Sequence, residues 1–183
     1  WQVGDTTVKI GGYVKVDLIH DFDPIDSTDS FDPRTIPTDG SDGTNTRLHA
    51  RQTRLNLDVR GPSSIGPFRA FVEGDFFGSG NAFRLRHAYG VYGSVLAGQT
   101  WTTFMDISAR PQTVDYEGPD AEVFVRQPMI RWTQKLTDRL KWAIAVESPT
   151  PEFVLPAGGT GAARASVPDV PTFLRYESDR WHA

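Results

Sequence analysis

The chain has 183 residues, a length that fits one domain, and its 23 acidic and 19 basic residues give a formal net charge of −4. It contains no cysteine, which excludes a disulfide framework and a thiolate metal site. No apolar run approaches roughly 18 residues and Trp1 opens no signal peptide, so neither a transmembrane helix nor a leader is predicted.

An all-β fold is predicted from the 17 glycines, the 13 prolines and the near absence of helical periodicity. The first predicted strand is Thr6–His20, which is long enough to cross a bilayer when tilted. An acidic loop, 21–45, follows it. The second strand, Arg47–Arg60, carries charges on the other parity in its first half, which predicts a bulge or an exposed strand end there. The remaining predicted strands are Phe68–Phe77, Phe83–Tyr92, Val95–Trp101, Gln127–Gln134, Leu140–Glu147 and Thr172–Glu177.

The strand before the turn at 93–94 has two chemically different faces. One face carries Phe83, Leu85, Tyr89 and Val91, and the other carries Arg84, Arg86, Ala88, Gly90 and Tyr92. A soluble core rarely leaves two arginines on one face, whereas a membrane barrel turns apolar residues to lipid and polar residues to its lumen. We therefore predict a transmembrane antiparallel up-and-down β-barrel. Its lipid-facing residues are expected to include Val14, Leu55, Val72, Val91, Ile130 and Ile144.

Short and long connections alternate along the chain. The short turns are predicted at 61–67, 93–94, 136–139 and 178–180, and residues 181–183 read as the opening of another strand. The connections between them are the predicted extracellular loops 21–45, 78–82 and 148–170, and the segment 102–126. Short turns on one side and longer loops on the other are typical of bacterial outer-membrane barrels.

Five segments resemble the DcaP-like porins of Gram-negative outer membranes. They read GGYVKVDLIHDFD, RQTRLNLDVRGP, FRAFVEGDFFG, FRLRHAYGVYGSVLAGQTWTTFMD and VRQPMIRWTQKL. The resemblance implies a 16-stranded homotrimeric porin whose loop after the fifth strand, here 102–126, folds into the pore. It also implies passive uptake of small organic anions such as dicarboxylates, with lumen arginines as the filter.

About eight strands are predicted here, and an eight-stranded barrel has an interior filled by side chains. Such an interior leaves no room for a loop folded inward. We therefore expect residues 1–183 to be the N-terminal part of a single, larger porin domain.

The candidate site residues lie on the predicted lumen face. The basic candidates are Lys15, Arg54, Arg69, Arg84, Arg86, Arg126, Arg131 and Arg175. Arg84 and Arg86 rank first because their own strand contains no acid. The alternative is that these arginines pair with Asp58, Glu73 and Asp75 and only neutralise the wall. The acidic candidates of the predicted constriction loop are Asp106, Asp115, Glu117, Asp120 and Glu122, and an ordinary exposed loop is the alternative for that segment.

Other functions are weakly indicated. The aspartates of the acidic loop offer oxygen ligands for Ca²⁺, but Ile25 and Asp26 occupy the fifth and sixth positions of an EF-hand pattern that requires an oxygen ligand and then glycine. We predict no metal, no cofactor, no nucleic-acid partner and no catalysis. Two alternatives remain open: a soluble β-sandwich that binds carbohydrate or a partner, and a barrel enzyme acting on lipid, which needs a Ser-His pair at its outer rim.

Overall fold

The computed structural model describes residues 1–27, 29, 31–111, 123–151, 159–161 and 164–178. These residues form eleven strands: β1 (Gln2–Val3), β2 (Thr6–Tyr13), β3 (Asp17–Asp21), β4 (Asn45–His49), β5 (Arg54–Gly61), β6 (Phe68–Asp75), β7 (Arg84–Tyr92), β8 (Val95–Trp101), β9 (Arg126–Lys135), β10 (Leu140–Glu147) and β11 (Thr172–Tyr176). Short 3-10 helices occupy Pro33–Thr35, Ser79–Asn81 and Ile107–Ala109. No helix among the described residues is long and apolar enough to cross a membrane.

Nine strands form one antiparallel sheet, in the order β1-β2-β5-β6-β7-β8-β9-β10-β11. Each strand after β5 pairs with the next one in the chain, as the alternation of strands and turns predicts. Among the described residues β1 and β11 are the two edges of this sheet and do not pair with each other, so the sheet is open. The predicted antiparallel up-and-down architecture is confirmed.

The first two predicted strands are each interrupted, so they are not continuous as predicted. Strand β2 ends at Tyr13, and β5 begins only at Arg54 opposite it. Gly12 has a φ of +138°, and a Cβ built on it would lie 2.0 Å from the Arg54 carbonyl oxygen, so a side chain is excluded at this close approach. Beyond the interruption, β3 and β4 form a separate two-stranded ribbon. In the first predicted strand the alternation continues through the interruption, so the sequence does not reveal it. In the second, the change of parity before Thr53 correctly predicted an irregularity, which is the break between His49 and Arg54.

A β-bulge in β7 exchanges the two faces of that strand. Glu73 pairs with His87 and Gly74 pairs with Leu85, which leaves Arg86 as the extra residue. Both Arg86 and His87 are buried. After the bulge the residues on the arginine-bearing face are Tyr89 and Val91, and those on the apolar face are Ala88, Gly90 and Tyr92. The prediction that Val91 faces lipid is therefore wrong, because a two-residue period cannot be counted across a bulge.

The opposite face of the sheet is apolar and exposed. Its exposed side chains include Ile10, Leu55, Leu57, Val72, Ile130, Ile144, Val146 and Leu174. The ring of Phe76 packs at 5.7 Å against that of Phe83 near one end of this face, and Trp132 contacts Trp142 at 5.3 Å. An apolar surface that continues across neighbouring strands suits lipid rather than water. No second sheet among the described strands covers it, whereas in a β-sandwich two sheets pack face to face.

Candidate functional site: the charged face of the sheet

The face opposite the apolar one carries more arginine than carboxylate. Strands β5 to β10 contain seven arginines and four carboxylates. The arginines are Arg54, Arg60, Arg69, Arg84, Arg86, Arg126 and Arg131, and the carboxylates are Asp58, Glu73, Asp75 and Glu147. This face therefore has a surplus of three positive charges over these residues, before any lysine is counted.

Asp58 is shared by two arginines. Arg60 donates to its carboxylate at 2.7 Å, and Arg69, opposite Arg60 on the neighbouring strand, donates at 2.9 Å. The Arg69 guanidinium also lies over the ring of Phe71, 4.8 Å from its centroid. Because two cations share one anion, this group keeps a net positive charge, but both guanidinium groups are fixed in place.

The two arginines ranked first from the sequence both have acidic partners. Arg84 donates two hydrogen bonds to Asp75, at 2.9 and 2.7 Å, and Arg86 bonds Asp75 at 2.9 Å and Glu73 at 3.0 Å. Asp75 is only 1% exposed. Arg54 approaches Glu73 at 4.0 Å. These acids lie on β6, which pairs with β7. The absence of acids from β7 therefore did not predict whether its arginines have partners. The pairing supports the alternative in which these arginines neutralise the wall.

Two arginines of β9 have no carboxylate within 4 Å among the described residues. The Arg126 guanidinium lies over the Trp101 ring, 4.7 Å from its centroid, and its buried Nη1 has no hydrogen-bond partner there. The buried Nε of Arg131 is also without a partner among those residues. Opposite Arg131 stand Leu96 and Ala145, which offer no charge. Among the described residues, Arg126 and Arg131 therefore make no direct ion pair, although Asp75 attracts Arg126 and Glu147 attracts Arg131 from farther away.

The segment after β8 begins on the charged face. Thr102 and Thr103 are buried, and Thr102 N donates to the Val125 carbonyl at 3.1 Å, which closes the neck of the segment. Asp106 accepts a bond from Ser108 N at 3.0 Å and forms an ion pair with Arg175 on β11. The segment thus crosses from β8 over β9 and β10 to β11. The predicted residues Asp115, Glu117, Asp120 and Glu122 lie outside the described residues.

Asp106 is held in its ionised form. Partial burial opposes ionisation, but the hydrogen bonds from Arg175 and Ser108 outweigh it and lower the pKa of Asp106 to about 2. The Asp106–Arg175 attachment is consequently charged at neutral pH. Arg175 therefore binds an acid of the loop rather than standing free on the wall.

A cavity of about 380 Å³ lies between this segment and the sheet. Its lining includes Thr100 from β8, Thr103 from the start of the segment, Arg131 and Thr133 from β9, and Arg175 from β11. Two arginines and several threonines therefore line one space.

Lys15 lies away from the predicted lumen wall, in the interruption after β2. Its ammonium group donates to Gln52 at 2.6 Å and pairs with Asp17 at the base of the ribbon. Aspartates of the acidic loop are partnered too: Asp29 binds Arg47 at 2.8 Å and also contacts Arg51. No group of three or more His, Asp or Glu residues suited to a metal ion occurs within the described ranges.

Sequence reasoning missed Glu147. This carboxylate is 1% exposed and accepts hydrogen bonds from Thr102, Thr103 and Gln127. Strand parity places Glu147 on the charged face, but only the path of the segment after β8 brings the two threonines to it.

Comparison with known proteins agrees with this architecture. The family model described as DcaP outer membrane protein matches residues 2–164. The crystal structure of the outer membrane channel DcaP of Acinetobacter baumannii superposes with a TM-score of 0.77 at 23% sequence identity, covering 98% of this chain and 51% of that one. The chain thus spans about half the length of that channel. The search of curated proteins found no match. Because the family model covers most of its length, the chain belongs to the DcaP outer membrane protein family of the Gram-negative outer membrane.

Proposed function

We propose that the chain forms part of the wall of a porin through which small hydrophilic solutes diffuse, with a preference for small organic anions such as dicarboxylates. The observation that supports the anion preference is the pair of arginines on β9, Arg126 and Arg131, which have no carboxylate partner among the described residues. A passing carboxylate supplies an acceptor that the described residues do not.

Guanidinium groups suit this task because their donors match the two oxygens of a carboxylate in a planar, bidentate contact. A partly buried cation without a partner has lost hydration that no protein group replaces. A solute carboxylate that contacts it restores part of that loss, so the encounter is favourable. The contact must also remain weak enough for the solute to leave, since conduction requires release as well as binding.

The cavity between the loop segment and the sheet is large enough for such a solute. Its volume of about 380 Å³ falls within the usual range of small-molecule sites. Arg131 and Arg175 both line it, and Thr100 and Thr133 add hydroxyl groups. We propose this space as part of the solute path, with Arg131 making the principal contact.

The test is a bilayer measurement on the full-length protein. A reversal potential under a KCl gradient reports the ion preference, and succinate uptake into liposomes reports transport of a dicarboxylate. The proposal expects an anion-selective conductance and succinate entry. A folded protein without conductance would overturn the porin function, and a cation-selective conductance would overturn the anion preference alone.

Homotrimeric assembly, which the family resemblance implies, stays a prediction. Chemical cross-linking of the detergent-solubilised full-length protein, followed by mass measurement, distinguishes a trimer from a monomer. The expected result is a cross-linked species of three times the chain mass, which is absent when the protein is denatured by heat before the cross-linker is added.

A further inference from the structure

Glu147, at the end of β10, is one of the two most completely buried large side chains among the described residues, with 1% exposure. Its carboxylate accepts three short hydrogen bonds. Thr102 Oγ1 donates at 2.6 Å, the backbone N of Thr103 at 2.7 Å and Gln127 Nε2 at 2.9 Å. These donors satisfy an acid that would otherwise be costly to bury.

Asp75, the other such side chain, has a different kind of partner. It is neutralised by Arg84 and Arg86, whereas Glu147 has no Lys, Arg or His within 4 Å among the described residues. The three donors around Glu147 are neutral groups. Glu147 attracts Arg131 of the neighbouring strand but makes no direct ion pair with it among the described residues. The direct contacts of its carboxylate are therefore explained by the groups that they join.

The donors come from both ends of one segment. Thr102 and Thr103 stand where the chain leaves β8, and Gln127 stands where it returns in β9. The residues after Glu147 are fixed as well: Ser148 N donates to the Pro128 carbonyl at 2.9 Å, and Glu147 exchanges backbone hydrogen bonds with Asp169 at 2.9 and 3.0 Å. One carboxylate thus connects the exit from β8, the return to β9 and the end of β10.

The direction in which the segment leaves β8 follows from these contacts. Because Glu147 belongs to β10, binding Thr102 and Thr103 draws the chain across β9 and over the charged face. Ala143 and Ala145 on β10 are 0% and 2% exposed. Farther along, Asp106 attaches to Arg175 on β11.

We propose that Glu147 is a positioning residue that seats the segment after β8 on the charged face and thereby sets the width of the solute passage. The inference rests on the proposed porin function. Loss of the carboxylate leaves three buried donors without their acceptor, so the segment is released from β10 while Asp106 still holds its far part. The expected consequence is a wider and more variable passage.

The first experiment measures the seating without any conduction. Spin labels are attached at Ala109→Cys, in the segment, and Thr137→Cys, in the exposed turn after β9, in the full-length protein with no other cysteine. The distance distribution between the labels is expected to be narrow in the parent and broad in Glu147→Ala. Asp138→Asn, which removes an exposed carboxylate beside Lys135, is the matched control and keeps the narrow distribution.

The second experiment records single channels of the same variants. Glu147→Ala is expected to raise the conductance and the open-channel noise, and Asp138→Asn is not. Thr102→Val removes one donor at nearly constant shape and keeps Glu147, so a smaller change in the same direction is expected. This variant replaces Glu147→Ala in the test if Glu147→Ala does not fold.

The outcomes separate the two proposals. If the parent does not conduct, the porin function fails, while the spin-label distances still test the seating. If the distribution stays narrow in folded Glu147→Ala, or in Thr102→Val where Glu147→Ala does not fold, the positioning role is overturned. A broad distribution with unchanged conductance and noise overturns the effect on passage width.

Discussion

Replacing both unpartnered arginines, by Arg126→Gln with Arg131→Gln, is expected to weaken dicarboxylate binding while the barrel stays folded. The magnitude follows from the environment of the two groups. A guanidinium and a carboxylate about 4 Å apart attract by roughly 4 kcal/mol at an effective dielectric constant near 20. Most of this attraction is offset when a mobile solute gives up its hydration, which leaves about 1 kcal/mol for each arginine. Two such losses correspond to about a thirty-fold weaker interaction.

The assay is block of the KCl current by succinate, which gives an apparent binding constant for the full-length channel. Folding is checked by the heat-dependent shift in electrophoretic mobility. The wild-type protein should show block at low succinate concentration, and the double variant should require about thirty times more.

Arg60→Gln provides the matched control. It removes one positive charge from the same face, but Asp58 retains Arg69 as its partner at 2.9 Å. A general loss of positive field predicts that Arg60→Gln and Arg131→Gln weaken succinate block equally. Direct contact between the solute and Arg131 predicts a much larger effect for Arg131→Gln. Equal effects, or unchanged block in the folded double variant, would refute it.

Two further predictions concern stability. The double variant Arg84→Gln with Arg86→Gln leaves the buried Asp75 without either cation. It is expected to destabilise the folded barrel by on the order of 3–5 kcal/mol, measured by urea unfolding in lipid vesicles. An unchanged unfolding midpoint would contradict the role given to these ion pairs. Ile130→Lys places a charge on the apolar face and is expected to lower the free energy of unfolding by about 2–4 kcal/mol if position 130 lies near the bilayer centre. Arg131→Lys, at the next residue, keeps a charge on the other face and is expected to lower it far less in the same assay.

The order and bounds of most strands could be predicted because the signals are local. Val95–Trp101 and Leu140–Glu147 are observed with their predicted limits, since turn residues bracket an uninterrupted alternation in each. The interruption after Tyr13 could not be predicted, because Val14 and Val16 continue the alternation of β2. Only the close approach of Gly12 to the opposite strand reveals it, and that approach depends on the fold.

The candidate site was predictable in kind but not in detail. Parity places Arg84, Arg86 and Arg131 on the charged face. Which arginine has a partner depends on the register between strands. Asp75 stands opposite Arg84, but the position opposite Arg131 on β8 is Leu96. A ranking by acids on the same strand therefore selected the arginines that are most completely paired.

The two buried carboxylates, Asp75 and Glu147, have different structural roles. One stabilises the charged wall and the other holds the segment after β8. Asp75 lies between Arg84 and Arg86, whose positive charges offset the cost of burying its carboxylate. Without those arginines its burial becomes unfavourable. Glu147 accepts hydrogen bonds from neutral donors at both ends of the segment after β8. The free-energy cost of burying its carboxylate therefore depends on the position of that segment. Between their strands runs β9, which carries Arg126 and Arg131. Because the acids of β6 are occupied by other arginines and Glu147 by the segment, Arg126 and Arg131 are left without a direct ion pair among the described residues. We infer that these two arginines are the ones on the wall that a solute carboxylate contacts.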